Sequence, residues 1–269
     1  MSTTATQYHG KLSFDVSTGL PPTSTRTPAI DADDFIVKPG VPRANAAVSS
    51  KMPNGDKAYT EDFKHYTVLQ QHCLFWDRDQ DGQVFPWDTY VGFRELGFNI
   101  AFSVLAMLII NTGFSYPTRL AHSWIPDPFF RVYLDSIHKA KHGSDSSTYD
   151  TEGRFRPQEF EDMFAKYSGS EDGALTFREL FHMMSGNRNA MDPFGWGAAF
   201  FEFGTTWLLI QQDGKVSKED LRGVYDGSIF FRIRDKRLRS KAGWTQGFGL
   251  GGDGFVGSEK HAHLAALKL

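Results

Sequence analysis

The sequence predicts a mainly α-helical fold in which EF-hand-type helix–loop–helix units are interrupted by an apolar helix with a proline knot. Three observations predict it. Asp77, Asp79 and Asp81 alternate ahead of Gly82, and Asp88 follows, which puts acidic groups at positions 1, 3, 5 and 12 of a loop. The pattern acidic–Gly–x–apolar–x–x–x–acidic at 81–88 then returns at 152–159, 172–179 and 213–220. An uncharged, largely apolar run covers 96–116, and Pro117, Pro126 and Pro128 follow it.

In chain order, residues 1–58 are rich in Thr, Ser, Pro, Gly and Ala and show no sustained apolar period. They read as a flexible N-terminal arm. Met1 to Gln7 has neither a basic nor an apolar region, so no secretory signal is expected. Order is expected from Thr60, which can cap a helix whose first turn holds Glu61 and Asp62. Phe63, Tyr66, Leu69, Cys73 and Trp76 recur at helical spacing and lead straight into the loop, so 59–93 forms a calcium-binding region. Hard Ca²⁺ takes oxygen ligands, which Asp77, Asp79, Asp81 and Asp88 offer from side chains and Gln83 from its backbone carbonyl. Gly82 permits the sharp turn, Val84 sits where paired loops make a short strand contact, and Pro86 opens the exiting helix. Asp88 stands where the longer Glu would reach the ion bidentately, so weaker Ca²⁺ binding or better tolerance of Mg²⁺ is expected.

The later copies are poorer. Residues 168–179 keep Ser168, Ser170, Asp172 and Glu179 at ligand positions and suit weak ion binding at most. The copies at 148–159 and 209–220 begin with Thr148 and Leu209 and read as structural relics.

Residues 94–131 form the apolar segment. At about 1.5 Å per residue, its helical run is just long enough to cross a bilayer's hydrocarbon. Asn99 and Asn111 disfavour spanning, and the prolines are expected to stop the helix. Burial in a lipid monolayer and burial in a protein core both remain open. Phe129–His142 reads as an amphipathic helix ended by Gly143, with His138 and His142 on one face. Phe194–Ile210, broken by Glu202 alone, reads as a core helix. Basic residues from Arg232 to Lys241 face either anionic lipid or water. The region 132–242 is therefore C-terminal and helical with degenerate EF-hand-like loops, and 243–269 is a Gly-rich tail.

Composition narrows the function classes. A net charge of −3 offers no general attraction for nucleic acid. A single cysteine, Cys73, excludes an intrachain disulfide and fits a reducing compartment. The 24 phenylalanines fit an aromatic core or an apolar ligand site. His138 and His142 share a spacing that also suits zinc, but no Glu lies between them and no third ligand is evident.

Three blocks in this order resemble the caleosins. The first runs from Leu69-Gln-Gln-His72 through the loop to Asp88-Thr-Tyr90 and on to Leu96-Gly97-Phe98-Asn99. The second is Ser123-Trp-Ile-Pro126-Asp-Pro128-Phe129-Phe130, and the third extends from Ile137-His138 through His142-Gly143-Ser144-Asp145 to Arg154. The resemblance covers roughly residues 55–225. Arg131 departs from it, because plant members tend to carry another proline there.

What the resemblance implies is a calcium-binding haem peroxygenase of lipid droplets and the endoplasmic reticulum membrane. Such an enzyme uses fatty-acid hydroperoxides to epoxidise or hydroxylate unsaturated fatty acids and to oxidise sulfides. It implies haem b held by His72 and His142, with His138 nearby, and catalytic work for all three. It implies contact with a lipid monolayer or membrane and leaves a homo-oligomer open. Two other readings stand beside it: a non-enzymatic calcium-binding droplet coat, and a soluble calcium sensor with 96–116 in its core.

Overall fold

The computed structural model describes residues 28–240; the first half of the N-terminal arm and the Gly-rich tail lie outside the described residues. The fold is mainly α. Short helices α1 (Ala32–Phe35) and α2 (Lys57–Asp62) precede α3 (Val68–Leu74). Strand β1 (Gln83–Val84) leads into α4 (Pro86–Leu96), and α5 (Ile100–Arg119) is the apolar helix. Strand β2 (Val132–Tyr133) and a 3-10 helix (Leu134–Ala140) come next. Then follow α6 (Pro157–Tyr167), β3 (Leu175–Thr176), α7 (Phe177–Gly186), α8 (Pro193–Ile210), β4 (Lys215–Val216), α9 (Lys218–Asp226) and α10 (Ser228–Ser240).

The internal repeat becomes a pairing rule. Leu175 lies opposite Val216 in the antiparallel β3–β4 pair, and each is the eighth residue of its loop. Val84, eighth in its own loop, lies opposite Val132 in the β1–β2 pair. The sixth residue of each copy is a glycine with positive φ: 81° at Gly82, 85° at Gly153, 67° at Gly173 and 78° at Gly214. A Cβ is disfavoured in that region, so glycine sets the shape of all four turns.

Aromatic contacts tie the helices together across a core that also holds many aliphatic side chains. Phe75 contacts Trp76, Phe230 and Phe231 at ring separations of 5.1, 5.6 and 5.3 Å, tying α3 to α10. Phe155, Phe160 and Tyr225 form a second knot within 5.9 Å of one another, tying α6 to α9.

Four expectations change. Residues 28–58 do not behave as a flexible arm: Ile36, Ala47 and Val48 are fully buried, and Ser50 N–H donates to the Glu161 carboxylate at 2.7 Å. A few apolar side chains on extended backbone are enough to dock it, which periodicity does not detect. The helix expected from Thr60 to Trp76 is broken in two. Asp56 caps the first part, and Thr67 caps the second in a reciprocal capping box with Gln70. Helix α5 continues through Pro117 to Arg119, so the proline sits in the last turn instead of ending the helix. Thr118 Oγ there bonds the Phe114 and Ser115 carbonyls at 2.8 and 3.0 Å. Finally, 129–142 is not one helix. Pairing with β1 pulls Val132 and Tyr133 into a strand.

Candidate functional site

The 77–88 loop joins α3 to α4. Asp77 accepts the Asp81 and Gly82 amides at 3.1 and 3.0 Å, and Asp81 accepts the Gln83 amide at 2.8 Å. These bonds curl the loop so that oxygens of Asp77, Asp79 and Asp81 lie within 4.8 Å of one another. Burial, then the neighbouring Asp81 and Asp79 carboxylates, push the Asp77 carboxyl up to about 6, against the pull of the Gly82 amide. Crowded carboxylates of this kind are relieved by a cation. Asp88 accepts the Phe85 amide at 3.0 Å, which places it at the start of α4 facing back to the loop. Gln83 turns its side-chain oxygen to Arg131 at 3.0 Å. In the 168–179 loop the two carboxylates have other partners. Glu179 accepts the Gly169 and Thr176 amides at 2.8 Å each, and Asp172 pairs with Lys215 at 3.2 Å. Among the described residues, only the Asp77 group brings three carboxylates together.

Beside this loop lies an apolar cavity of about 600 Å³. Helix α3 contributes His72 and Cys73 to it, α5 contributes Ile109, Ile110 and Phe114, and α8 contributes residues from Pro193 to Leu209. His72 and His142, far apart in sequence, both line this one space.

His72 Nδ1 lies 2.7 Å from the Val224 carbonyl. A carbonyl only accepts, so Nδ1 carries the proton and Nε2 keeps its lone pair. Burial lowers the pKa of the ring, and the Val224 bond offsets this only in part, so His72 is held neutral. That is the state an iron ligand needs. The α9–α10 turn comes this close because of Gly227, whose φ is 78° and whose Cβ would stand 2.7 Å from the Gln71 carbonyl and 3.0 Å from His72 Cα.

His142 sits in the opposite environment. Burial lowers its pKa, but Glu202 at 3.6 Å and the charges of Asp145 and Asp192 outweigh this and raise it. Its Nδ1 is buried with no hydrogen-bond partner. The segment is fastened to the start of α8. Ser144 donates its amide and its hydroxyl to Asp192 at 2.8 and 2.7 Å, and Asp192 also caps the helix through the Gly195 amide at 2.9 Å.

A scan against protein-family models matches residues 64–234 to the family described as caleosin related protein. The chain belongs to the caleosin family. A peroxygenase of Lilium longiflorum is 42% identical over 234 residues, which cover 84% of this chain and 94% of the relative. A probable peroxygenase 4 of Arabidopsis thaliana is 37% identical over 63% of this chain and 86% of its own. A probable inactive peroxygenase-like protein of the same plant is 31% identical over 56% and 72%. No solved structure matches.

In this caleosin the cavity fits a haem on its own chemistry. It has apolar walls, a neutral imidazole with a free Nε2, and an orphaned imidazole nitrogen on His142. Cys73 also lines the space, but burial pushes its thiol up to about 12, so it is no ready thiolate. His138 is half-buried on the 3-10 helix and is not among the lining residues. The shared face expected for His138 and His142 needed an α-helix, and Lys141, with ψ of 133°, turns the chain between them. Val224, Gly227, Glu202 and Asp192 were not found from sequence. Asp226-Gly227 is a turn signal, and Glu202 is the lone charge of an apolar stretch, but neither points to a histidine.

Proposed function

We propose that this caleosin is a haem-dependent peroxygenase acting on fatty-acid hydroperoxides at a lipid surface, with Ca²⁺ in the 77–88 loop. The observation that carries the reading is one apolar cavity with His72 and His142 both in its wall. Haem b, when bound, supplies the oxygen-transfer chemistry by which a hydroperoxide oxidises an unsaturated fatty acid or a sulfide. His72 would hold the haem through Nε2. His142, held towards its charged form by Glu202, is the group that donates a proton to the departing hydroperoxide oxygen. The hydroperoxide's own proton passes to the imidazole in return, and the Glu202 carboxylate beside it stabilises the recharged ring. The apolar walls exclude water and receive the acyl chain.

The lipid setting rests on α5. It is long and apolar enough to cross a membrane, yet only 22% of its most apolar window is buried. Val104, Leu105 and Leu108 face outward, as do Trp124, Ile125 and Phe129 after the helix. A core helix would bury these side chains, so we place this face in the monolayer of a lipid droplet or in the endoplasmic reticulum membrane.

The relative described as inactive and peroxygenase-like gives weight to a second reading, a non-enzymatic droplet coat that binds calcium. An absorbance spectrum of the purified protein, with hydroperoxide-dependent epoxidation of an unsaturated fatty acid, separates the two. A haem band and turnover, both lost in His72→Ala, support the enzyme. A protein that takes up no haem supports the coat.

A further inference from the structure

Helices α5 and α8 run antiparallel, and the described ring contacts between them sit towards the two ends of their contact. Phe102 stacks on Phe201 with centroids 6.1 Å apart, and Phe114 meets Phe194 edge-on at 6.0 Å. At the second contact Gly113 makes room: a Cβ there would stand 3.2 Å from the Phe194 ring. Between the two contacts, α5 offers Ile109 and Ile110, and α8 offers Gly197 and Ala198. A Cβ on Gly197 would meet nothing within 4 Å, so open space lies against the helix at that point. Glycine inside a helix costs about 1 kcal/mol relative to alanine, so helix formation does not explain it.

We propose that the gap between these aromatic pairs is the slot through which the acyl chain of the substrate enters the cavity, directly from the lipid phase. Gly197 is its threshold. Seven residue steps along α8 lead from Phe194 to Phe201, about 10 Å of helix. A hydrocarbon chain, whose carbons pack at about 4 Å, passes within that length. The four residues facing the gap carry no polar side-chain atom, so a polar head group gains nothing there while an alkyl chain does. The surroundings match. Leu105 and Leu108 of α5 and Trp196 and Phe200 of α8 are exposed and do not line the cavity, so the slot opens through an apolar surface. The inference deepens the peroxygenase reading and rests on it for the identity of the substrate.

The test uses the full-length protein. Gly197→Phe and the milder Gly197→Leu fill the threshold. Gly204→Phe is the control, since Gly204 lies on the same helix with nothing within 4 Å of its added Cβ and does not line the cavity. The first readout is the ratio of kcat/KM for an eighteen-carbon fatty-acid hydroperoxide to that for tert-butyl hydroperoxide. The second, independent of turnover, is binding of a fluorescent conjugated eighteen-carbon fatty acid. Circular dichroism checks folding. The threshold variants are expected to lower the ratio, and the fatty-acid affinity, about tenfold or more, the scale on which a pocket reads apolar bulk. Gly204→Phe is expected to leave both at the wild-type value. Folded threshold variants with unchanged ratio and affinity overturn the slot, as does an equal loss in Gly204→Phe. A wild-type protein that turns over neither hydroperoxide overturns the peroxygenase reading instead, and the fatty-acid binding then still decides the slot.

Discussion

At the scale of single residues, His72 depends on a glycine that never touches the cavity. Gly227 lets the α9–α10 turn approach α3, and the turn brings the Val224 carbonyl to His72 Nδ1 at 2.7 Å. A Cβ at position 227 meets backbone atoms that have nowhere to go, at a φ of 78°. Gly227→Ala should therefore cost about 1 kcal/mol or more of stability. It should also weaken haem retention, because the carbonyl that fixes the tautomer moves away. Urea unfolding and haem titration read the two effects; wild-type haem affinity in the folded variant would show that Val224 does not orient His72. Cys73 gives a pH prediction. Its thiol is pushed up to about 12, chiefly by burial and then by the Asp77 and Glu202 charges. A raised thiol pKa keeps the unreactive protonated form, so alkylation by iodoacetamide should stay far slower than that of a free thiol from pH 7 to 9, rising with pH without levelling off. An exposed thiol, with a pKa of about 8.5, would react much faster and begin to level off within that range. A fast reaction that levels off by pH 9 in the native protein would contradict the burial argument.

At the scale of elements, the 77–88 loop is braced from two sides. Strand β2 closes its back through the Val84–Val132 pairing, and Asn111 of the apolar helix donates Nδ2 to the Val84 and Phe130 carbonyls at 3.2 and 2.9 Å. Asn111, which disfavours a bilayer-spanning role in the sequence, thus serves as a buried bolt between α5 and the loop. Asp88, at the far end of the loop, already holds the Phe85 amide through one oxygen. Asp88→Glu should tighten Ca²⁺ binding, because the longer side chain reaches the ion with both oxygens. Asp77→Ala should abolish binding at this loop. Isothermal calorimetry checks both, and an equal or weaker affinity in Asp88→Glu would sink the reading of position 12.

At the scale of the whole molecule, α5 has two faces with separate duties. One face is built into the protein: Ala106 and Asn111 are buried, and Ile110 and Phe114 line the cavity. The other carries Val104, Leu105 and Leu108 outward. Deleting 96–128 would therefore remove cavity wall and core together, so loss of droplet binding in such a protein would prove nothing about anchoring. The informative variant replaces Val104, Leu105 and Leu108 with serine and leaves the inner face intact. Each exposed side chain contributes about 25 cal/mol per Å² when it enters hydrocarbon, so three losses should release most of the protein from floated droplets. High salt should not release the wild type, because screening acts on charges and not on apolar burial. A folded triple variant that still floats would move the anchor to the exposed face of α8 or to the basic helix α10.

The sequence by itself determined what depends on near neighbours along the chain. Asp77, Asp79, Asp81 and Gly82 make a loop because a turn and its neighbours are local, and Val84, eighth in that loop, was expected at a short strand contact, where it pairs with Val132. The caleosin resemblance was likewise written in contiguous blocks. Sequence also named His72 and His142, but as members of those blocks and not as neighbours. Only the tertiary structure decided that they share a cavity, that burial keeps one neutral while Val224 fixes its tautomer, that Glu202 raises the pKa of the other, and that His138 stands apart. It also decided that 28–58 docks and that 129–142 pairs as a strand, since edge pairing and burial of scattered apolar residues leave no period to read. The division follows from the physics: turns and caps form between residues a few positions apart, whereas protonation and pocket shape are set by groups that meet only when distant helices pack.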